Sequence, residues 1–192
     1  MNISTVAGER LIKLFKVLNR FMLVIWRLGL GSWGNGTKFG GSVMILRHRG
    51  RKTGLLRSTP LNYAVVEGDI YCMSGFGRSS DWYQNVLAQP LVEIWLPDGR
   101  WLGQAEDANA ASDAMDKIHK VLVASGFAGP LFGFNPRRMS EADYRQLLDD
   151  YRLVRIRPVK ALTGPGGPGD LAWVWPVSTF ILLGVLIRKR VR

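Results

Sequence analysis

The run Gly50-Arg51-Lys52-Thr53-Gly54-Leu55-Leu56-Arg57 gathers three cationic side chains and a hydroxyl on a turn bracketed by glycines. Glycines let a backbone approach a ligand closely, and successive N–H groups in such a turn form a concavity that accepts an anion. Arg51 and Arg57 can each grip two oxygens of a phosphate or carboxylate, and Lys52 adds a mobile point charge. Two readings fit this local pattern equally well: a phosphate site, or a solvated basic hairpin tip. It is not a P-loop, because the Gly-x-x-x-x-Gly-Lys-Ser/Thr spacing is absent. A second run, Met73-Ser74-Gly75-Phe76-Gly77-Arg78, leads into Asp81-Trp82-Tyr83-Gln84-Asn85-Val86-Leu87-Ala88-Gln89-Pro90. A strand that ends in a glycine-rich loop and opens a helix offers backbone amides and a helix N-terminus on which a planar ring with polar edges can dock. Leu87 reads as a core residue and Trp82 as core or site, whereas packing does not account for Asn85.

The rest of the composition narrows the chemistry. Cys72 is the single cysteine, which rules out an internal disulfide or a cysteine-based metal cluster and agrees with a reducing, cytosolic setting. His48 and His119 lie far apart without ligand-like neighbours and read as structural or surface residues, so no metal site is expected. Over 192 residues, 26 Lys+Arg against 15 Asp+Glu give a net charge of +11, which calls for an anionic partner: nucleic acid, a lipid surface or a phosphorylated ligand. The cations fall in three separate places and no RNA or DNA motif accompanies them, which leaves a nucleic-acid-binding module a distant third.

Several elements must position these residues. Arg10 to Leu28 predicts an amphipathic helix, with Leu11, Leu14, Phe15, Leu18, Phe21, Met22, Ile25 and Trp26 on one side and Lys13, Lys16, Arg20 and Arg27 on the other. Such a helix packs its stripe on the core, lies in a membrane interface, or does both. Its interrupting lysines do not suit a secretory signal. Strands are predicted over Ser42 to His48 and Arg57 to Val66, where Pro60 marks an edge or bulge. Glu67-Gly68-Asp69 turns the chain into Ile70 to Ser74, and Pro97-Asp98-Gly99 closes a second hairpin of Leu91 to Leu96 and Trp101 to Asp107. Helices follow over Ser80 to Ala88, capped by Ser79 or Ser80, over Ala110 to Ala124, and from a capping box at Ser140 to about Asp150. Arg152 to Pro158 supplies a last strand. Antiparallel hairpins with late helices predict an α+β fold built on a small barrel. The organisation expected is an N-terminal helix and Gly-rich loop (1–36), a cofactor-binding domain (37–160), a Pro/Gly linker (161–170) and a hydrophobic segment with a basic tail (171–192). Leu171 to Ile187 is a run of seventeen uncharged residues, followed by Arg188, Lys189, Arg190 and Arg192. Such a run sits at the short end of what crosses a bilayer, so a shallow or re-entrant helix is expected.

Taken together, Gly-Arg-Lys-Thr-Gly-x-x-Arg-x-x-Pro-Leu, a hairpin, Ser-x-x-Gly and Asp-Trp-Tyr-x-Asn-x-x-Ala-x-Pro resemble the deazaflavin-dependent nitroreductase/quinone reductase family. The likeness covers roughly Ser42 to Asp107 and weakens towards Pro158. It implies a split β-barrel of the flavin-reductase kind and the cofactor coenzyme F-420, an 8-hydroxy-5-deazaflavin with a phosphate-bearing polyglutamate tail. By position it assigns the phosphate and tail to Arg51, Lys52 and Arg57, supported by Thr53 and followed by Pro60. It lays Met73, Ser74 and Gly75 along the ring, closed by Trp82, Tyr83 and Asn85. Ser74 and Tyr83 become the candidates for ring contact or proton delivery. Two departures stand out. Gly75 replaces a lysine of the best-known members, and the segment Phe127 to Arg138 offers Phe127, Phe132 and Phe134 where they carry tyrosines. A phenylalanine lining lacks hydroxyls to orient a nitro group, so the expected activity is hydride transfer to a lipophilic acceptor such as a quinone, at the cytoplasmic face of the cell membrane. A homodimer is compatible with this reading. The alternative is a split-barrel protein that binds FMN or a similar ligand without turnover.

Overall fold

Runs of apolar and β-branched side chains through the middle of the chain produce six strands: β1 (Val43–Arg49), β2 (Leu56–Val66), β3 (Asp69–Ser74), β4 (Leu91–Leu96), β5 (Gly99–Asp107) and β6 (Arg152–Ala161). They pair antiparallel throughout and close into a barrel in the order β1-β2-β3-β6-β5-β4. Helix α1 covers 17–27. It is followed by α2 (Asp81–Ala88), α3 (Ala114–Ala124), the single turn α4 (Ala128–Leu131), α5 (Glu141–Asp150) and α6 (Val174–Arg190). This computed structural model describes residues 17–33, 35–37, 40–126, 128–131, 134–163 and 169–190. The first part of the expected N-terminal helix, Phe127 and Phe132, residues 164–168 of the Pro/Gly linker and Arg192 lie outside the described residues.

Period-two alternation gives the barrel wall two buried faces. Met44 and Leu46 of β1, Ile70 and Cys72 of β3, and Val154 and Ile156 of β6 fill the interior, which Tyr83 and Val86 of α2 plug from one end. Tyr71 and Leu153 point outward and are covered by Ile118, Val121 and Leu122 of α3 and Tyr144 and Leu147 of α5. On the opposite flank Ile45 and Trp95 hold Trp26 of α1.

β2 pairs with β1 from Leu56 to Asn62 but with β3 only from Tyr63 to Val66. Pro60 lies in the half with a single partner strand, where its missing N–H costs no ladder bond on the other side. The capping box at Ser140 forms as expected: its side chain accepts from the Asp143 amide, and the Asp143 carboxylate accepts from the Ser140 amide at 2.7 Å.

Three expectations need correction. The helix expected from Ala110 starts at Ala114. The segment before it is held by Asn109, whose side chain donates to Leu148 O at 2.5 Å and accepts from Leu153 N at 2.7 Å. The last strand runs on to Ala161, because Trp101 and Leu102 of β5 remain available to pair with it. Leu87 is 45% exposed rather than core, since α2 turns Tyr83 and Val86 inward and its Asn85 flank is occupied by the basic turn. Among its described residues α1 touches the core through Trp26 and Leu23, while Leu18 and Phe21 stay exposed, which leaves both readings of this helix open.

Candidate functional site

The basic turn is a closed loop between β1 and β2. The Gly50 and Leu55 backbones bridge its neck at 2.9 Å, and the Gly54 amide donates to Gly50 O at 2.7 Å. Gly54 sits at φ +66°, in the left-handed region that glycine occupies without strain. At Gly50 a β-carbon would lie 2.8 Å from Thr53 Oγ1 and 3.1 Å from Arg57 Nε, so only glycine lets these two side chains fold over the neck. Lys52, Thr53 and Arg57 are exposed. Neither Lys52 nor Arg57 has a carboxylate partner among the described residues, whereas Arg51 pairs with Asp81 at 3.0 Å. Four cations, with Arg49 counted alongside Arg51, Lys52 and Arg57, therefore surround one small loop. Arg49 stiffens it by donating from Nη1 to Gly54 O at 3.2 Å.

The turn is fastened to α2. Asn85 is 3% exposed, and its side-chain oxygen accepts from the Arg51 amide at 2.9 Å and from Arg51 Nη1 at 3.0 Å. Its amide nitrogen faces His48 Nδ1 at 3.4 Å, and His48 Nε2 lies 3.1 Å from Thr59 Oγ1. His48 follows Met44 and Leu46 on the inward face of β1 and is buried, so desolvation holds its pKa below the ordinary value, with Arg57 pushing in the same direction.

The second loop reaches the same helix from β3. Ser74 is fully buried; its hydroxyl donates to Gly77 O at 2.8 Å and meets Ser80 Oγ at 2.5 Å. Ser80 occupies the N-cap position of α2, but its hydroxyl serves the loop instead of capping the helix. Tyr83 is also buried and donates its hydroxyl to the Asp107 carboxylate. Burial first, then that hydrogen bond, push its pKa up to about 12. Both hydroxyls are thus engaged in hydrogen bonds within the protein, Ser74 in a buried one and Tyr83 with the exposed Asp107. Met73 packs on the outer core, Trp82 on the barrel core, and Gly75 and Phe76 are exposed. Gly77, at φ +55°, abuts the end of α5 so closely that a β-carbon would fall 2.4 Å from Asp150 O. The next residue, Tyr151, stacks edge-on against Phe134 with ring centroids 5.6 Å apart and helps wall an open cleft along α5.

The structure therefore joins Arg51, Lys52, Thr53, Arg57 and Asn85 in one cluster and sets Gly75 on a separate loop that shares α2. Pro60 stays in β2. A profile of the family described as F420H(2)-dependent quinone reductase matches residues 26–127. The chain belongs to this family. That stretch contains the basic turn, both strands that carry it, the Gly75 loop and all of α2. The protein is accordingly an F-420-dependent oxidoreductase, and coenzyme F-420 is its expected cofactor. No protein of curated function matches the chain. It is similar to a solved F420 reductase, at 16% identity over 65% of this chain and 91% of the other with a TM-score of 0.43. A conserved hypothetical protein of Mycobacterium tuberculosis shows 20% identity over 65% and 77% of the two chains, TM-score 0.44. An FAD-binding protein of Mesorhizobium loti shows 16% over 62% and 84%, TM-score 0.43.

The residues present suit the coenzyme's anionic tail: Lys52 and Arg57 are exposed cations without a carboxylate partner among the described residues, and they flank a neck that a β-carbon would fill. Sequence reasoning missed His48, Arg49, Asp107 and Tyr151. Only His48 carried a usable signal, since its spacing from Met44 and Leu46 marks it as inward-facing.

Proposed function

We propose that this protein carries hydride from reduced coenzyme F-420 to a quinone at the cytosolic face of the membrane. The observation that carries the reading is the basic turn, closed at its neck and locked to α2 through Asn85, within the stretch that matches the family. When bound, the coenzyme supplies the hydride at C5; the protein supplies position and an apolar setting. Arg51, Lys52 and Arg57 would hold the tail phosphate and carboxylates, with Thr53 beside them. The exposed backbone of Gly75 and Phe76 would lie along the ring. Because the Ser74 and Tyr83 hydroxyls are already engaged with Gly77 and Asp107, the proton that accompanies the hydride would come from solvent or from a group outside this loop. A lipophilic acceptor is supported by the exposed apolar surfaces of α1 and α6.

Titration with coenzyme F-420 and with FMN tests the cofactor. Micromolar or tighter binding of the deazaflavin, in preference to FMN, is expected. Arg51→Ala together with Arg57→Ala should weaken it by about 1.5–3 kcal/mol for each charge-assisted contact removed. Equal affinity of the double variant and the wild type would remove the turn from the site. Steady-state rates with menadione and with a nitroimidazole test the acceptor, and faster turnover of the nitro compound would overturn the quinone.

A further inference from the structure

Arg51 is held by one end only. Its Nη1 makes every side-chain contact it has among the described residues: Asp81 Oδ1 at 3.0 Å, Asn85 Oδ1 at 3.0 Å and Asp81 O at 3.4 Å. Its backbone amide is bound to the same Asn85 oxygen at 2.9 Å. The edge formed by Nε and Nη2 remains unspent, and that edge is the fork whose two parallel N–H groups match a phosphate or carboxylate. An arginine on a surface turn ordinarily samples many rotamers and loses about 2 kcal/mol of side-chain freedom when it is fixed. Here the fold has already fixed it.

Asn85 can do this only in one orientation. An asparagine amide presents oxygen on one side and nitrogen on the other, and turning it over would set two donors against Arg51. The two Arg51 donors demand the oxygen, and His48 can hold the other side of the amide. Buried in the barrel end, the imidazole offers Nδ1 to the Asn85 nitrogen at 3.4 Å and engages Thr59 Oγ1 through Nε2 at 3.1 Å. With Nε2–H donating to Thr59, Nδ1 is an acceptor and the Asn85 amide nitrogen must face it.

We infer that Thr59, His48 and Asn85 form a buried relay that pre-orients Arg51, so that its Nε–Nη2 edge takes two oxygens of the coenzyme's phosphate, and that Asn85 acts on the cofactor through Arg51 and not by touching it. The inference rests on the function proposed above and deepens it: Asn85 and His48 are positioning residues for the anionic tail, and Arg51 is its bidentate ligand.

A double-mutant cycle separates this from direct contact by Asn85. Affinity for coenzyme F-420 is measured for wild type, Asn85→Ala, Arg51→Ala and the pair, and affinity for the tail-less ring, 8-hydroxy-5-deazariboflavin, is measured alongside. Loss of the anchor should weaken coenzyme binding by about tenfold and leave ring binding unchanged, and Asn85→Ala should add little once Arg51 is gone. Additive losses, or weaker binding of the tail-less ring, would show that Asn85 touches the cofactor and overturn the relay. Arg51→Lys should behave like Arg51→Ala, because a point charge cannot be anchored and forked at once; full affinity in the lysine variant also overturns it. Hydrogen exchange at the Arg51 amide is read without any ligand. It should be slow in wild type and fast in Asn85→Ala and in His48→Phe, and equal protection in all three would remove the anchor. A wild-type chain that binds neither deazaflavin, yet shows this protection pattern, would instead defeat the proposed function and, with it, the role assigned to the Arg51 edge.

Discussion

A buried imidazole without a charged partner leaves a signature in stability. Desolvation lowers the pKa of His48 from its ordinary value of 6.5, and the Arg57 charge adds to the effect. Between the folded and unfolded values the unfolded chain binds a proton that the folded chain refuses. The stabilisation by neutral His48 is thus complete above the unfolded value and is lost as pH falls towards the folded one. Urea midpoints should fall from about pH 7.5 to about pH 5.5, and His48→Gln should flatten that part of the curve; an unchanged slope in the variant would show that other groups set it. Tyr83 makes a different prediction. Its hydroxyl, pushed up to about 12, stays protonated at neutral pH and donates to Asp107. Tyr83→Phe should cost about 0.5–1.5 kcal/mol of stability and leave turnover near wild type. A large loss of turnover at unchanged stability would restore this residue as a proton source. At this scale the cations of the turn were legible in the sequence, because residue type alone declares a charge. The partner of Asn85 was not. It lies 34 positions away, and only closure of the barrel brings the turn across α2.

Elements were legible where local chemistry decides them. Glu67-Gly68 and Pro97-Asp98-Gly99 dictate hairpins, and β2–β3 and β4–β5 pair as those turns require. Where contacts between distant elements decide, the reading slipped. The late start of α3 depends on Asn109 bonding to α5 and β6, and the length of β6 depends on how far β5 extends to meet it. The loop after β3 belongs to the second kind as well. Its glycines suggested room for a ring, but Gly77 is required by the neighbouring helix end. Gly77→Ala must adopt a left-handed backbone, at about 1–2 kcal/mol, and must also displace Asp150 O from 2.4 Å. Thermal unfolding should show at least that loss, and the tilt between the loop and α5 should change. Gly75 lacks both constraints: a β-carbon there would sit 3.9 Å from the Tyr151 ring. Gly75→Ala should therefore unfold like wild type, and a loss as large as that of Gly77→Ala would show that the loop is strained throughout.

Across the whole molecule, the end of α1 is joined to the segment that opens α6. Arg27, at the end of α1, pairs with Asp170 at 2.8 Å, the Leu171 amide donates to Arg27 O at 2.8 Å, and Trp175 Nε1 donates to Leu28 O at 2.9 Å. Each end read alone in the sequence as lipid-directed, but a clasp across 143 positions left no local mark. Beyond its first turn, α6 exposes Phe180, Ile181, Leu182, Leu183, Val185, Leu186 and Ile187, which is apolar on every side, and α1 adds Val17, Leu18, Phe21 and Val24. A helix left apolar all round in water is strongly disfavoured, so this surface calls for a cover. No described helix is long and apolar enough to cross a membrane. The 17 residues of α6 extend about 25 Å against a hydrocarbon core of roughly 30 Å. We propose an interfacial position, which would meet both facts and would set Trp173 and Trp175 near headgroup depth and Arg188 on anionic lipid. Removal of residues 171–192 should leave coenzyme affinity unchanged and reduce binding to vesicles that contain anionic lipid. Arg27→Ala should reduce it less, because α6 itself remains. If the truncated chain binds such vesicles as well as the full one does, α6 is not what meets the lipid. If it also loses coenzyme affinity, the clasp serves the barrel and not a membrane.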